Sequence, residues 1–148
     1  MIPRILEPES MDGPEEVAQY DAMDHRAVND AFVADFLAAH GPCRGGEILD
    51  VGTGTARIPI ALALADPNAR LVGFDLAPAM IERAERNVAE AGLTDRIRFV
   101  LGDAKAPTAL GDARCEAVIT NTIIHHIPDP KPALAAMLDR VAPGGTLF

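Results

Sequence analysis

Short apolar runs of strand type alternate with segments of helical periodicity along most of the chain. The strand-type runs stand at residues 48–51, 70–74, 96–103 and 115–120, and helix-like segments stand at 58–65, 78–91 and from 129 onwards. Strands that are almost continuously apolar and alternate with helices are typical of a parallel sheet covered on both faces. The pattern therefore predicts an α/β fold, a Rossmann-like doubly wound parallel sheet.

The two ends of the chain are less regular. Residues 1–24 read as an irregular acidic arm that is broken by prolines and leaves room for one short helical turn, and residues 25–148 read as one domain. A helix at 25–39 opens that domain, with Asp24 as its cap and Val28 on its apolar face. The last helix is expected to bury Leu134, Met137, Leu138 and Val141. The resulting order is a helix, a strand–helix unit repeated four times, and a fifth strand cut short at 146–148.

The segment EILDVGTGTAR, residues 47–57, forms the centre of this order, because it passes from a strand through two glycines into a helix. Such a strand–glycine turn–helix crossing is where open α/β sheets bind ligands. Asp50 ends the strand, two residues before Gly52, and a carboxylate at that place repels a pyrophosphate and attracts a cation. Arg57 also stands where the third glycine of a dinucleotide motif is expected. The turn therefore favours a positively charged nucleotide-like ligand over NAD or ATP.

Polar residues follow the other predicted strands as well. Asp75 ends the second strand, 23 residues after Gly52, which is the distance at which a carboxylate reaches a ribose diol. Asp103 follows the third strand and could accept from an adenine amino group between Leu76 and Ala104. The alternatives are a helix cap for Asp75 and a turn aspartate for Asp103. Asn121 follows the fourth strand, so polar groups stand at four consecutive strand ends.

Composition narrows the classes of function. The net charge is −9 over 148 residues, and no basic stripe is visible, which argues against a nucleic-acid partner. No signal peptide and no apolar stretch of membrane-spanning length can be found, so we expect a soluble cytoplasmic protein with no membrane partner. The two cysteines, Cys43 and Cys115, lack the spacing of metal ligands and are expected to be reduced thiols.

Five segments together resemble a known family. LDVGTGTA, GFD, LGDA, ITNTIIHHIPDP and RVAPGGTLF look like the successive motifs of class I S-adenosylmethionine-dependent methyltransferases, in order and near the usual spacing. The resemblance covers about residues 46–148, and the N-terminal arm is similar to that of small-molecule members. The family fold continues beyond a fifth strand, whereas this chain stops at Phe148. We therefore expect a fragment of a longer protein whose last strands are absent, or an open sheet edge covered by another copy in a homo-oligomer.

The resemblance implies a site for S-adenosyl-L-methionine. Asp50 and the loop Gly52, Thr53, Gly54 and Thr55 would hold the methionine part, and Asp75 would take the ribose hydroxyls. Leu76, Asp103 and Ala104 would surround the adenine, while Asn121 and Thr122 would pass close to the sulfonium. The family often has a third glycine where this chain has Ala56, a change that a small side chain should tolerate. Arg57 could meet the cofactor carboxylate, although a solvated residue in the first helical turn is the expected role.

The resemblance implies transfer of the methyl group to a small-molecule acceptor by direct displacement. His125 and His126 are candidates for a base or for the wall of the acceptor pocket, and we expect no metal because no third ligand is suitably spaced. Tyr20 and His125 are candidate acceptor contacts, although Tyr20 could instead anchor the arm. The alternatives are a non-catalytic cofactor-binding or interaction module, an NAD-dependent oxidoreductase and a methyltransferase acting on protein.

Overall fold

Five parallel strands form one sheet in the order β3-β2-β1-β4-β5. The computed structural model describes Met11 and residues 13–148; the rest of the predicted arm, residues 1–10 and 12, lies outside them. The elements are α1 (Pro14–Ala22), α2 (Arg26–His40), β1 (Glu47–Val51), α3 (Arg57–Ala65), β2 (Arg70–Asp75), α4 (Pro78–Glu90), β3 (Ile97–Leu101), β4 (Cys115–Thr120), α5 (Lys131–Asp139) and β5 (Val141–Leu147). This confirms the predicted doubly wound α/β fold.

The strand order reverses between β1 and β4. The chain starts at β1 in the middle of the sheet, adds β2 and β3 on one side, and then crosses to the other side for β4 and β5. The connections at the carboxyl ends of β1 and β4 therefore lead away from each other and leave a crevice between them. Asp50 lies at this edge, paired in register with Gly73 of β2 and Ile119 of β4.

Apolar layers cover both faces of the sheet, which is why the strands read as continuous apolar runs. One layer joins Ile48, Leu71, Ile97, Ala117 and Ile119 of the strands to side chains of α2, α3 and α4. The other layer joins Leu49, Val51, Val72, Phe74 and Val118 to Ile127 and to Ala133 and Met137 of α5. Successive strand residues thus enter opposite layers, and helices on both faces fix the sheet that carries the crevice.

Two local predictions were wrong. The connection between β3 and β4 holds only a 3₁₀ turn, Thr108–Leu110, and no helix. The expected stub at 146–148 belongs to a strand that begins at Val141, since residues 142–145 form a bulge within it rather than a break. Cys115 pairs with Val141 and Ala117 with Thr146, so β5 carries three more residues than β4 across this interval.

The predicted burial of several apolar side chains was also wrong. Val28 is 64% exposed on α2, Leu138 is 58% exposed on α5, and Leu134 is at the border of exposure. Val141 is half-buried in β5 and is not part of the helix, whereas Met137 is buried as expected. The apolar stripe of α5 is therefore wider than the surface that the described part of the chain packs against it.

A buried ion-pair cluster holds the end of the sheet opposite the crevice. The Glu116 side chain is 5% exposed and accepts hydrogen bonds from the backbone N–H groups of Arg44 (2.7 Å) and Gly46 (2.8 Å). Its Oε1 also lies 2.9 Å from Nε2 of His40, whose Nδ1 lies 2.8 Å from Oγ1 of Thr146. Burial raises the pKa of Glu116, but the hydrogen bonds from His40 and the two amides outweigh it and hold the pKa below its ordinary value.

We expect Glu116→Gln to lower the free energy of unfolding by about 1–3 kcal/mol at pH 7, because it removes a buried charge that three partners stabilise. A group with a depressed folded-state pKa contributes stability above its unfolded pKa and loses it as pH falls. The difference between the two proteins should therefore shrink below about pH 4. Urea denaturation of both proteins at a series of pH values measures the difference in their free energies of unfolding. A difference that stays constant down to pH 3 would contradict this account.

None of the helices in the described part of the chain is long and apolar enough to cross a membrane. Cys43 and Cys115 are both free, which agrees with the expected reduced thiols, and both are buried. The division at residue 24, the homo-oligomer through the β5 edge, the absence of a nucleic-acid partner and the cytoplasmic location stay predictions.

Candidate functional site

The turn after β1 keeps its backbone open to the crevice. Gly52 and Gly54 have φ angles of +79° and +54°, which favour glycine, and the N–H groups of Gly52 and Thr53 both donate to the carbonyl of Phe74. A Cβ on Gly52 would lie 2.0 Å from Cγ2 of Ile123, whereas a Cβ on Gly54 would have only Cε1 of Tyr20 nearby, at 3.8 Å. The turn is therefore packed tightly beneath Gly52 and open above Gly54, as a cradle for a ligand requires.

Ala56 is the residue that replaces the third glycine. Its φ of +64° is left-handed, it caps the N-terminus of α3, and its methyl group is fully buried. A left-handed conformation costs an L-residue roughly 1–2 kcal/mol. The side chain is small enough to be accommodated without changing the turn, which agrees with the tolerance that the sequence predicted.

Asp50 is a buried carboxyl at the base of the crevice. It is 3% exposed, and burial raises its pKa to about 7, with a smaller contribution in the same direction from the charge of Asp75; the Thr53 hydroxyl acts in the opposite direction. Among the described residues, no cation lowers the pKa of this carboxyl. The position is suited to a cation from a ligand and unsuited to a phosphate, and the role predicted for Asp50 stays a prediction.

Asp75 faces the glycine turn from the carboxyl end of β2. Its Oδ2 accepts from the N–H of Gly54 at 2.8 Å, and its Oδ1 accepts from the N–H of Ala77 at 3.0 Å. Ala77, and not Asp75, is the cap of α4. The carboxylate thus bridges the ends of two neighbouring strands, so it is held where it can accept from a diol lying along that edge.

A small pocket of about 90 Å³ lies beside Asp75. Phe74, Leu76 and Ala104 give it apolar walls, and Asp103 lies at its rim. Oδ1 of Asp103 accepts from the backbone N–H of Lys105 (2.8 Å) and lies 3.1 Å from Nζ of Lys105. Burial raises the pKa of Asp103, but the bonds and the charge of Lys105 outweigh it, so the pKa is below its ordinary value. The pocket therefore combines flat apolar surfaces with an ionised acceptor.

A larger cavity of about 380 Å³ adjoins this pocket, and the two share Gly52, Asp75, Ile123 and His126. It brings together most of the remaining predicted residues: Tyr20, Asp50, Thr53, Gly54, Thr55, Asn121, Thr122, His125 and His126. Thr122 has a φ of +61°, so the chain turns sharply here after β4. Every site residue predicted from the sequence thus lies along one continuous cleft at the carboxyl ends of the strands.

Sequence reasoning missed several residues of the larger cavity. They are Met11, Asp21, Met23, His25, Val28, Asn29, Ile58, Ala77, Met80 and Ile123. Only one local signal pointed to any of them: His25 and Asn29 are four residues apart at the start of α2 and so share one side of it. The others belong to no motif, because they reach the cleft through the packing of α1 and of the helix starts.

The histidine pair and Tyr20 line the outer part of the larger cavity. His125 and His126 lie in a 3₁₀ turn with ring centroids 4.0 Å apart, and the ring centroid of Tyr20 is 5.7 Å from that of His25. Burial, followed by the charges of Asp75, Asp50 and Asp21, raises the pKa of Tyr20, so its phenol is a neutral donor near pH 7. Within Met11 and residues 13–148, no three His, Cys, Asp or Glu side chains cluster as metal ligands would.

The donor and acceptor set of the cleft fits an adenosyl sulfonium ligand. Asp50 offers a buried carboxyl whose pKa is not lowered by any cation of Met11 or residues 13–148, Asp75 offers acceptors near the same turn, and the small pocket offers apolar walls with Asp103 as a further acceptor. The open space above Gly54 leaves room for a ligand to lie against the backbone. Carboxylates at this edge would repel the pyrophosphate of a dinucleotide. Fold and cleft together define a Rossmann-like protein that binds a cationic nucleoside.

Comparison with known proteins gives the family. Residues 48–145 match the family model described as a methyltransferase domain. The chain belongs to this family, the class I S-adenosylmethionine-dependent methyltransferases, as its motifs predicted. S-adenosyl-L-methionine is thus the cofactor that the fit of the cleft and the family both indicate.

Two curated relatives are enzymes of this family. The chain is 34% identical over 113 residues to a ubiquinone biosynthesis O-methyltransferase of Methylococcus capsulatus, covering 76% of this chain and 46% of that protein. It is 31% identical over 106 residues to a trans-aconitate 2-methyltransferase of Streptomyces coelicolor, covering 72% of this chain and 34% of that protein. The chain therefore spans less than half the length of these relatives.

Solved structures share the fold. A structure from Methanococcus maripaludis has a TM-score of 0.82 at 20% identity, covering 97% of this chain and 66% of that one. A SAM-dependent methyltransferase of Thiobacillus denitrificans, solved with S-adenosyl-L-homocysteine, has a TM-score of 0.69 at 21% identity, covering 93% of this chain and 55% of that one.

Proposed function

We propose that this chain is the cofactor-binding part of an enzyme that moves a methyl group from S-adenosyl-L-methionine to a small-molecule acceptor. The observation that carries the proposal is the convergence of Asp50 and Asp75 on one open glycine turn, with Asp75 bonded to Gly54 across it. Two carboxyl groups at the glycine turn, beside a small apolar pocket, fit a cationic nucleoside better than a cofactor whose pyrophosphate would lie at that turn.

The cleft divides into regions that suit the parts of this cofactor. Asp50 would face the ammonium group, while the turn of Gly52, Thr53, Gly54 and Thr55 would follow the amino-acid chain. Asp75 would accept from the ribose hydroxyls. Leu76, Asp103 and Ala104 would hold the adenine, and Asn121 and Thr122 would lie near the sulfonium. The supporting observation is that Asp50, the glycine turn, Asn121 and Thr122 line the larger cavity, Leu76, Asp103 and Ala104 line the smaller pocket, and Asp75 lines both.

The cofactor supplies a methyl group that is already activated for direct displacement. The residues of the chain therefore act mainly by holding the acceptor in line, and positioning of this kind can contribute on the order of 7–11 kcal/mol. A base is needed only when the acceptor must lose a proton before or during the attack, as a hydroxyl, a thiol or a carbon acid does. His125 and His126 line the cavity where such an acceptor would lie and are the candidate bases.

The larger cavity favours a small acceptor over a macromolecule. Tyr20 of α1, the start of α2 and the histidine turn all line the larger cavity, so an acceptor there would lie between several elements rather than on a flat surface. The relatives' names, which refer to trans-aconitate and to ubiquinone biosynthesis, agree with a small-molecule acceptor.

Binding of S-adenosyl-L-homocysteine tests the proposal directly. We expect calorimetry to show one site per chain, and a concentration one hundred times the dissociation constant should stabilise the protein by about 2.7 kcal/mol in thermal unfolding. NADH titrated under the same conditions should give no heat and no stabilisation. Binding of NADH in place of S-adenosyl-L-homocysteine would select an oxidoreductase, and binding without turnover on any acceptor would select a non-catalytic module.

A further inference from the structure

A buried carboxylate on α1, Asp21, joins three separate parts of the chain. Its side chain is 3% exposed. Oδ1 accepts from Nε of Arg57 at 3.0 Å and from Nδ2 of Asn87 at 2.9 Å, and Oδ2 accepts from Nε of Arg83 at 2.7 Å. Arg57 opens α3, whereas Arg83 and Asn87 belong to α4. One side chain therefore ties α1 to the two helices that begin beside the cofactor cleft.

The same cluster reaches the glycine turn itself. Nδ2 of Asn87 donates not only to Asp21 but also to the carbonyl of Thr55, at 2.9 Å. Arg57 follows the left-handed residue Ala56 directly and is the half-exposed first-turn residue that the sequence predicted, yet its guanidinium is held by Asp21. The Thr55 carbonyl and the start of α3 lie at the end of the glycine turn. Both are therefore held by residues that bond to Asp21.

Asp21 is also one of only two buried residues in α1. The other, Val17, packs with Ala77 and Met80, and no side chain caps the N-terminus of this helix. A nine-residue helix is marginal on its own, so tertiary contacts decide where it lies. Asp21 provides the polar half of those contacts.

The helix that Asp21 fixes carries Tyr20 into the cleft. The Tyr20 ring is the nearest group above Gly54, and the phenol lies within the field of the carboxylates Asp75 and Asp50. Neighbouring residues on a short helix cannot move independently, so the contact between Asp21 and its arginines also sets the height of the tyrosine above the turn.

We propose that Asp21 is a positioning residue for cofactor binding, which holds Tyr20 over the glycine turn and fixes the turn from behind. This inference rests on the proposed function. Asp21 is well suited to the task because it stays charged: burial raises its pKa, but the bonds from Arg83 and Asn87 and the charge of Arg57 outweigh burial and lower the pKa.

A double-mutant cycle with Tyr20 tests the proposal. Asp21→Asn and Tyr20→Leu should each weaken the binding of S-adenosyl-L-homocysteine about tenfold in calorimetry, and the double variant should be little worse than either one. Additive losses would overturn the proposal, because Asp21 would then act independently of Tyr20. Unchanged affinity in Asp21→Asn, with the wild type binding, would overturn it while leaving the proposed function intact.

A matched control separates positioning from general stability. Glu116→Gln removes another buried, multiply bonded carboxylate at the opposite end of the sheet and should leave affinity unchanged. If Glu116→Gln weakens binding as much as Asp21→Asn does, the effect is one of stability and the proposal fails. Absence of binding by the wild type would overturn the proposed function and this inference together.

Hydrogen exchange of the ligand-free protein gives a readout that does not depend on the cofactor. In Asp21→Asn the amides of α1 should exchange at least about tenfold faster, while those of β1 and β2 keep their protection. Unchanged protection of α1 would overturn the proposal. Arg83→Gln removes one partner of Asp21 at a partly exposed position and serves if Asp21→Asn does not fold. It should weaken the binding of S-adenosyl-L-homocysteine about threefold and speed the exchange of the α1 amides about threefold.

Discussion

Asp75→Ala is expected to weaken the binding of S-adenosyl-L-homocysteine by about a hundredfold. A carboxylate that accepts from two ribose hydroxyls makes two charge-assisted bonds, and the loss of roughly 3 kcal/mol corresponds to that factor. The variant also removes the acceptor that holds the N–H of Gly54 at 2.8 Å, so the turn loses part of its own support. Calorimetry on wild type and variant at one pH measures the difference.

Two comparisons make this result specific. Asp95→Ala changes an exposed aspartate before β3, at the other end of the sheet, and should bind as the wild type does. Asp75→Asn keeps an oxygen for one of the two backbone bonds, so it should fall between wild type and alanine. If the wild type binds and Asp75→Ala binds equally well, the assignment of Asp75 to the ribose is removed.

The cofactor side of the cleft could be predicted from the sequence because parallel strands end at one edge. Once Asp50, Asp75, Asp103 and Asn121 are placed at successive strand ends, the fold itself brings them together. No knowledge of side-chain contacts is needed for that step. The glycine turn adds its own local signal, since a strand, two glycines and a helix in sequence specify the crossing.

The cluster of bonds around Asp21 on α1 could not be predicted, because these bonds join residues far apart in the chain. Asp21 meets partners 36, 62 and 66 positions away, and no short motif records such a meeting. Asp21 read simply as one acid in an acidic arm. The charges of the arm were visible in the sequence, whereas the choice of which charge is buried depends on packing.

The errors at the C-terminal end have a related cause. Periodicity identified an apolar side of α5, but it could not say how wide a surface would meet that side, so Leu134 and Leu138 were expected to be buried and are not. Residues 142–145 carry a proline and two glycines, which indicate a break when read locally. A strand at the edge of a sheet can absorb them as a bulge, and pairing with β4 resumes at Thr146.

Asp50→Asn is expected to stabilise the ligand-free protein while it weakens cofactor binding. The pKa of Asp50 is about 7 in the folded chain against 3.8 ordinarily, so the folded state retains a proton that the unfolded state has released between about pH 4 and 7. Stability of the wild type therefore falls as pH rises through that window and stays low above it. Asparagine does not titrate, so the free energy of unfolding of the variant does not fall in this way. At pH 8 it should exceed that of the wild type by at most about 4 kcal/mol. Urea denaturation at pH 4 and pH 8 measures the gain, which should be absent at the lower pH.

The binding half of this prediction depends on the ammonium group of the ligand. An ammonium favours the ionised form of Asp50, so the wild type should bind S-adenosyl-L-homocysteine more tightly as pH rises toward 7, and Asp50→Asn should lose about tenfold in affinity and all of that pH dependence. 5′-Methylthioadenosine, which has the adenosine but no ammonium, provides the control: its affinity should fall in Asp75→Ala and stay unchanged in Asp50→Asn. Equal losses for the two ligands in Asp50→Asn would mean that Asp50 supports the turn as a whole rather than the cation. A variant that is more stable and binds less would instead show that the buried carboxyl is retained for its ligand, at the expense of the fold that holds it.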